Sequence, residues 1–268
     1  MIALFSLRLL LGMALTWAVL PRRQITSGFF RIQLLLALAL SVLVTVTIRD
    51  QTAILAGFEQ LFPPNTIVDW PEPASFGIAV CVILCLLTFA GSVAWTLERR
   101  FGGTVFLLAT LTLSFSVLAI GAMGAAQGNG INLLLFLASE FASSAVLGSS
   151  VTGMLLGHWY LTAPTMSIAP LGRANAWFGV TLLFRLILSA IGLWMSWSSL
   201  SGSTHLVWLA LRWSAGIVLP LILCVMTARI LKYRNTQSAT GVLFAAVILI
   251  FLGELAGMLL AREIGLPL

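Results

Sequence analysis

Charge is the scarcest commodity in this 268-residue chain: only 8% of residues are Asp, Glu, Lys or Arg. An ordinary soluble domain carries about 25%. Hydrophobic residues make up 60%. No polar stretch exceeds about 30 residues, which is below the usual domain minimum and excludes a sizeable soluble domain. Histidine is nearly absent, with only His158 and His205, predicted at opposite membrane faces. They therefore do not ligate one haem b between them. Cysteine is also sparse. Cys81 and Cys85 stand one helical turn apart and Cys224 lies in another apolar run. Spacing i,i+4 on one helix is poor disulfide geometry, so these read as small helix-surface residues. No Cys-x-x-Cys-His, P-loop, dinucleotide fingerprint, zinc-protease motif, nucleophile elbow or Asp-rich pair occurs. No metal and no haem are expected.

The apolar runs are about 20 residues long without period-2 alternation, so they predict transmembrane helices rather than barrel strands. The fold class is an all-α, polytopic transmembrane bundle in one membrane domain, 1–268. Eight helices are predicted: about 2–20, 27–48, 76–97, 104–124, 132–158, 175–197, 205–230 and 239–261. Residues 1–124 read as an apolar scaffold and 132–261 as a charged half. The first run is read as a retained helix and not a signal peptide, because Arg8 lies inside it and Pro21-Arg22-Arg23 follows it. Arg8 is expected to snorkel from the helix start to the interface.

The formal charge of +6 reflects cytoplasmic-loop arginines rather than nucleic-acid binding, because no basic run or Gly-aromatic tract accompanies it. Odd-numbered loops and adjoining helix ends hold Arg22, Arg23, Arg31, Arg99, Arg100, Arg173, Arg229, Lys232 and Arg234. Even-numbered loops and the tail hold Arg49 and Arg262. Odd loops are therefore expected inside and both termini outside, in a bacterial-type inner membrane. Trp17, Trp95, Trp159 and Tyr160 near inner ends, and Trp194, Trp197 and Trp208 near outer ends, fit an aromatic belt. The longest loop, about 49–75, is then external. Within it, Gln51 to Phe62 predicts a short interfacial helix stopped by Pro63-Pro64.

Against that apolar background stand four mid-span charges, Glu140, Arg185, Arg212 and Glu254. A charge at that depth costs at least a few kcal/mol unless paired or wetted. At 1.5 Å per residue, Glu140 lies about 12 Å, and Arg212 and Glu254 about 10 Å, from the outer ends, with Arg185 nearer the middle. Arg212 is expected to pair with Glu254 or Glu140, and Arg185 with the remaining acid. His158 follows Glu140 by 18 residues, a whole number of turns, so both share one helix face. Thr181, Arg185, Ser189, Gly192 and Ser196 form one small or polar stripe. Gly153-xxx-Gly157 and Gly253-xxx-Gly257 are candidate packing seams. Pro220 predicts a kink. The charges read either as structural salt bridges locking helices together or as a polar site that binds a ligand or passes protons. His158, before Trp159-Tyr160 and the Pro164 loop, reads either as a belt residue or as a proton-exchanging contact.

Glu140, His158, Arg185, Arg212 and Glu254 are thus the candidate ligand or proton-site residues. A quinone needs an apolar slot, a hydrogen-bond donor or two and a proton path, which these residues suit. The eight-helix topology with outward termini, the missing haem histidines and the late Gly253-Glu254-Leu255-Ala256-Gly257 element together resemble the quinol-oxidising membrane anchors of dimethyl sulfoxide and polysulfide reductases. The topology spans the chain, while the shared element is five residues. The resemblance implies a quinol site near the outer face, an iron–sulfur partner subunit, and Glu254 as a proton-site acid. At most, then, the chain is a quinone-site subunit of an oxidoreductase complex engaged in electron transport. Two departures stand out. No histidine lies in the loop after the second helix, and Met258 follows Gly257 where the family often has Arg. Two other readings are a proton-coupled or anion transporter and a structural assembly subunit without ligand.

Overall fold

The computed structural model describes residues 1–62, 72–126, 130–163, 165–196 and 203–264. Among them every regular element is a helix: α1 (Ile2–Val19), α2 (Ser27–Thr47), α3 (Thr52–Leu61), α4 (Pro73–Thr96), α5 (Arg100–Ala126), α6 (Gly130–Thr162), α7 (Ala169–Ser196), α8 (Ser203–Trp213), α9 (Leu219–Lys232) and α10 (Thr236–Ile264). A π-helical turn, Ser214–Val218, joins α8 to α9 in one continuous span. Eight helices are long and apolar enough to cross a membrane, with mean hydropathy of 1.5 to 2.5 in their most apolar stretches. The protein is an all-α, multi-pass integral membrane protein.

The spans arise where the sequence predicts them, but several run longer. The α6 helix continues to Thr162 and α10 to Ile264, past the predicted ends at 158 and 261. Glu98 and Arg234 take left-handed conformations (φ 55° and 56°) in the tight turns that reverse the chain after α4 and α9. The short loop helix predicted at 51–62 is α3, while Pro63, Pro64, Pro164, Trp197 and Gln127 lie outside the described residues. All three cysteines are free.

The chain divides into two compact units, Met1–Ala14 with Thr26–Glu140, and Leu15–Ile25 with Phe141–Leu268. In the first, Phe30 of α2 stacks on Trp95 of α4 at 4.6 Å between ring centroids. The loop helix α3 buries Ile54, Gly57 and Phe58. It approaches α5 so closely that a Cβ on Gly57 would overlap the Ile120 carbonyl, and one on Gly124 the Ala53 carbonyl. Small residues let the two backbones touch, so α3 is fastened to α5 by backbone contact.

Burial is uneven among the spans. In their most apolar stretches, 67% of α1 and 61% of α6 residues are buried, against 33% of α4, α7 and the α8–α9 span. The two most enclosed spans carry a hydroxyl-rich interior. Ser6 and Thr16 on α1, and Ser143, Ser144, Ser149, Ser150 and Thr152 on α6, are all buried. Ser149 and Ser150 bond back to the preceding turn, at the Val146 and Leu147 carbonyls (3.2 and 2.8 Å).

Candidate functional site: an Arg–Glu–Arg triad

The second unit gathers three of the four mid-span charges. Arg185 comes from α7, Arg212 from the end of α8 and Glu254 from α10. Their side chains are 3%, 1% and 1% exposed. Arg212 Nη1 donates to Glu254 Oε1 at 2.7 Å, and Arg212 Nη2 donates to the Ser189 hydroxyl at 3.1 Å. Arg185 reaches the same carboxylate with both arms, Nε to Oε1 at 3.1 Å and Nη2 to Oε2 at 3.3 Å. Charge-assisted N–H···O bonds ordinarily run about 2.7–2.9 Å. By that measure the Arg212–Glu254 bond is of ordinary length and the two Arg185–Glu254 bonds are longer.

Local sequence explains how these side chains meet. Thr181, Arg185 and Ser189 recur every fourth residue, so they share one face of α7, and all three are buried. Thr181 also meets the Ser149 hydroxyl of α6 at 3.0 Å. On the α8–α9 span, Pro220 has no N–H to offer the Gly216 carbonyl, so the regular ladder cannot pass. The chain responds with the π turn, in which the Leu219 N–H bonds back to the Ser214 carbonyl. One extra residue per turn resets the helical phase by about 100° between Arg212 and the residues beyond. The turn also brings Gly216 onto α10, where its Cβ would stand 3.0 Å from the Gly253 Cα. The kink expected at Pro220 is thus accommodated as a π bulge.

The predicted seam Gly253-xxx-Gly257 is used at both ends, Gly253 against Gly216 and Gly257 against the Arg212 side chain. Gly153-xxx-Gly157 is used at one end. Gly157 abuts Thr240, whereas nothing lies within 4 Å of a Cβ on Gly153.

Arg212 takes Glu254, one of its two expected partners. Within the first unit Glu140 accepts from Arg8 of α1, through Nε at 2.6 Å and a second bond from Nη2, a bidentate pair. That overturns the expectation for Arg8, which does not snorkel to an interface: it is 9% exposed. A helix start offers an exit to water only when neighbouring chain leaves it open, and α1 is the most enclosed span. Ser6 and Thr16, buried polar residues on the same helix, were the available signal.

The remaining candidate, His158, is exposed near the C-terminal end of α6. Two residues on, Tyr160 donates its hydroxyl to the Ser167 carbonyl at 2.5 Å and ties the helix end to the loop that follows. His205, at the start of α8, meets Glu263 at the end of α10 at 2.7 Å. That contact joins the two helices that carry Arg212 and Glu254, seven residues before the one and nine after the other.

No protein-family model, curated protein sequence or solved structure matches the chain. What defines it is its own architecture: a multi-pass α-helical membrane protein with a charged triad buried in its second unit.

Proposed function

We propose that this protein is the membrane subunit of a redox complex in a bacterial-type inner membrane, and that its triad receives the head of a quinone or similar lipid-soluble cofactor. The observation that carries the reading is the length of the Arg185–Glu254 bonds, 3.1 and 3.3 Å. Guanidinium N–H groups at that distance from their carboxylate are suitable donors to a carbonyl oxygen. Arg212 meanwhile keeps Glu254 in place at 2.7 Å. A carboxylate beside the ring hydroxyl of a quinol is a suitable first proton acceptor. The chain has no stretch long enough for a redox domain, so electrons pass to or from a partner, for which an iron–sulfur subunit is the expected class. The five-residue Gly253–Gly257 element agrees with this reading.

A proton-coupled or anion transporter is the second reading, and one observation favours it. The span carrying Arg212 is interrupted by the π turn Ser214–Val218, and interrupted helices beside buried charge suit alternating access. Purification in mild detergent, followed by mass spectrometry of subunits and extracted lipids, separates the two. Stoichiometric quinone with a redox subunit is the expected result. A protein free of both, which carries a solute across liposomes, overturns the redox reading.

A further inference from the structure

The outward face of α9 carries an apolar groove that ends at a cluster of cations. Pro220, Cys224, Thr227 and Leu231 form the buried side of this helix. That side packs on α7, where Asn175 Nδ2 donates to the Cys224 carbonyl at 3.0 Å. Ile222, Val225, Met226 and Arg229 recur at three- and four-residue spacing, so they share the opposite face, and all four are exposed. Together with Leu221 they line a groove of about 350 Å³. The helix is part of a membrane span, so its exposed face meets lipid.

Arg229 is followed by Lys232 and Arg234, both exposed, with Tyr233 between them 85% exposed. Nothing acidic in the same unit lies near them. Residues 15–25 and 141–268 contain only two acids, Glu254 and Glu263. Both lie on α10, about 27 and 40 Å beyond its first residue, Thr236, at 1.5 Å per residue. Those distances exceed the screening length of about 8 Å at physiological salt. The helix dipole favours cations in a last turn, and the Lys/Arg bias of one membrane face favours them in such loops. Neither calls for an apolar groove leading to one of them.

We propose that one anionic glycerophospholipid binds along this face of α9. An acyl chain lies against Leu221, Ile222, Val225 and Met226, and the phosphate meets Arg229 and Lys232. The arginine fork matches phosphate oxygens, while its aliphatic stem extends the apolar wall. Lys232, three residues on, is the neighbouring cation on the helix surface. Basic pockets at a membrane face recognise anionic headgroups in this manner. A neutral quinone gains nothing from the cations, so charge selects the phospholipid. The site is separate from the triad, since Arg229 follows Arg212 by about 25 Å along the span, and it stands without the quinone reading.

The test uses the purified full chain, delipidated in mild detergent and incubated with phosphatidylglycerol or phosphatidylcholine of identical acyl chains at fixed ionic strength. Native mass spectrometry counts the lipids retained. Wild type is expected to keep one phosphatidylglycerol per chain, with about tenfold preference over phosphatidylcholine. The double variant Arg229→Gln with Lys232→Gln should lose that preference. Arg173→Gln removes an exposed cation near the start of α7, two residues and so about 200° around the helix from Asn175, and should leave it intact. Val225→Trp fills the groove with every charge in place and should weaken phosphatidylglycerol binding at least about fivefold. All these positions are exposed, and unfolding midpoints in lipid-free detergent are expected to stay at the wild-type value. Equal retention of the two lipids by wild type overturns the proposal. So does a loss in Arg173→Gln as large as in the double variant, which would assign the preference to general surface charge, or unchanged binding by Val225→Trp.

Discussion

Gly216 and Gly253 meet backbone to backbone, and that contact sets how closely α10 approaches the span bearing Arg212. A Cβ on Gly253 would overlap the Gly216 main chain. Gly253→Ala should therefore force the helices apart and destabilise the protein by about 1–3 kcal/mol, the usual cost of overpacking. Gly241, on the same helix, has nothing within 4 Å of its Cβ position. Gly241→Ala should be neutral or slightly stabilising through helix propensity. Equilibrium unfolding of both variants in detergent checks the contrast.

Removing the carboxylate at the centre of the triad takes a shared charged acceptor from two buried guanidinium groups. Glu254→Gln is expected to cost about 3–5 kcal/mol and to lower the amount of folded protein. Replacing all three charges together, Arg185→Met with Arg212→Met and Glu254→Leu, should recover most of that stability, because an apolar set of similar volume removes the desolvation penalty. Unfolding midpoints for the single and triple variants decide it. A triple variant as unstable as Glu254→Gln would mean that the charges are needed for packing as such.

Arg8 and Glu140 should behave as a coupled pair. A double-mutant cycle of Arg8→Met and Glu140→Gln is expected to give a coupling energy of about 1–3 kcal/mol, as contacting residues do. A coupling near zero is what an arginine extended into an interface would give.

Much of this architecture was legible from hydrophobic run lengths, because a membrane span is specified by some 20 apolar residues whatever its neighbours. The short helix expected over Gln51–Phe62, ahead of Pro63-Pro64, was legible too and is α3. Of the partners of the charges, Arg212 with Glu254 was among the expected pairs, whereas Arg8 with Glu140 was not. Depth along one helix is readable at 1.5 Å per residue, but pairing depends on which helices are adjacent, and that information is spread over the whole packing. Arg8 was misplaced for this reason: its position near a helix start is local, whereas the enclosure of α1 is not. The π turn at 214–218, which resets the helical phase just beyond Arg212, is a response to Pro220 that sequence signals as a bend without its form.

The Lys/Arg asymmetry makes a prediction about sidedness. With the native cysteines replaced, Gln60→Cys should react with an impermeant thiol reagent applied from outside, and Asn235→Cys should not. Both positions are exposed, so reactivity reports the side alone. The reverse pattern would invert the orientation, and with it the membrane face nearest the triad.

The proposal that the triad receives a quinone head is tested most directly by titrating the purified protein with a short-chain quinone and following tryptophan fluorescence quenching. Wild type is expected to bind one quinone per chain, and Arg185→Met to bind it at least about tenfold more weakly, a loss on the order of 1.4 kcal/mol, with the unfolding midpoint of unliganded Arg185→Met recorded alongside. No saturable binding by wild type, or equal affinity in a folded Arg185→Met, would contradict the account.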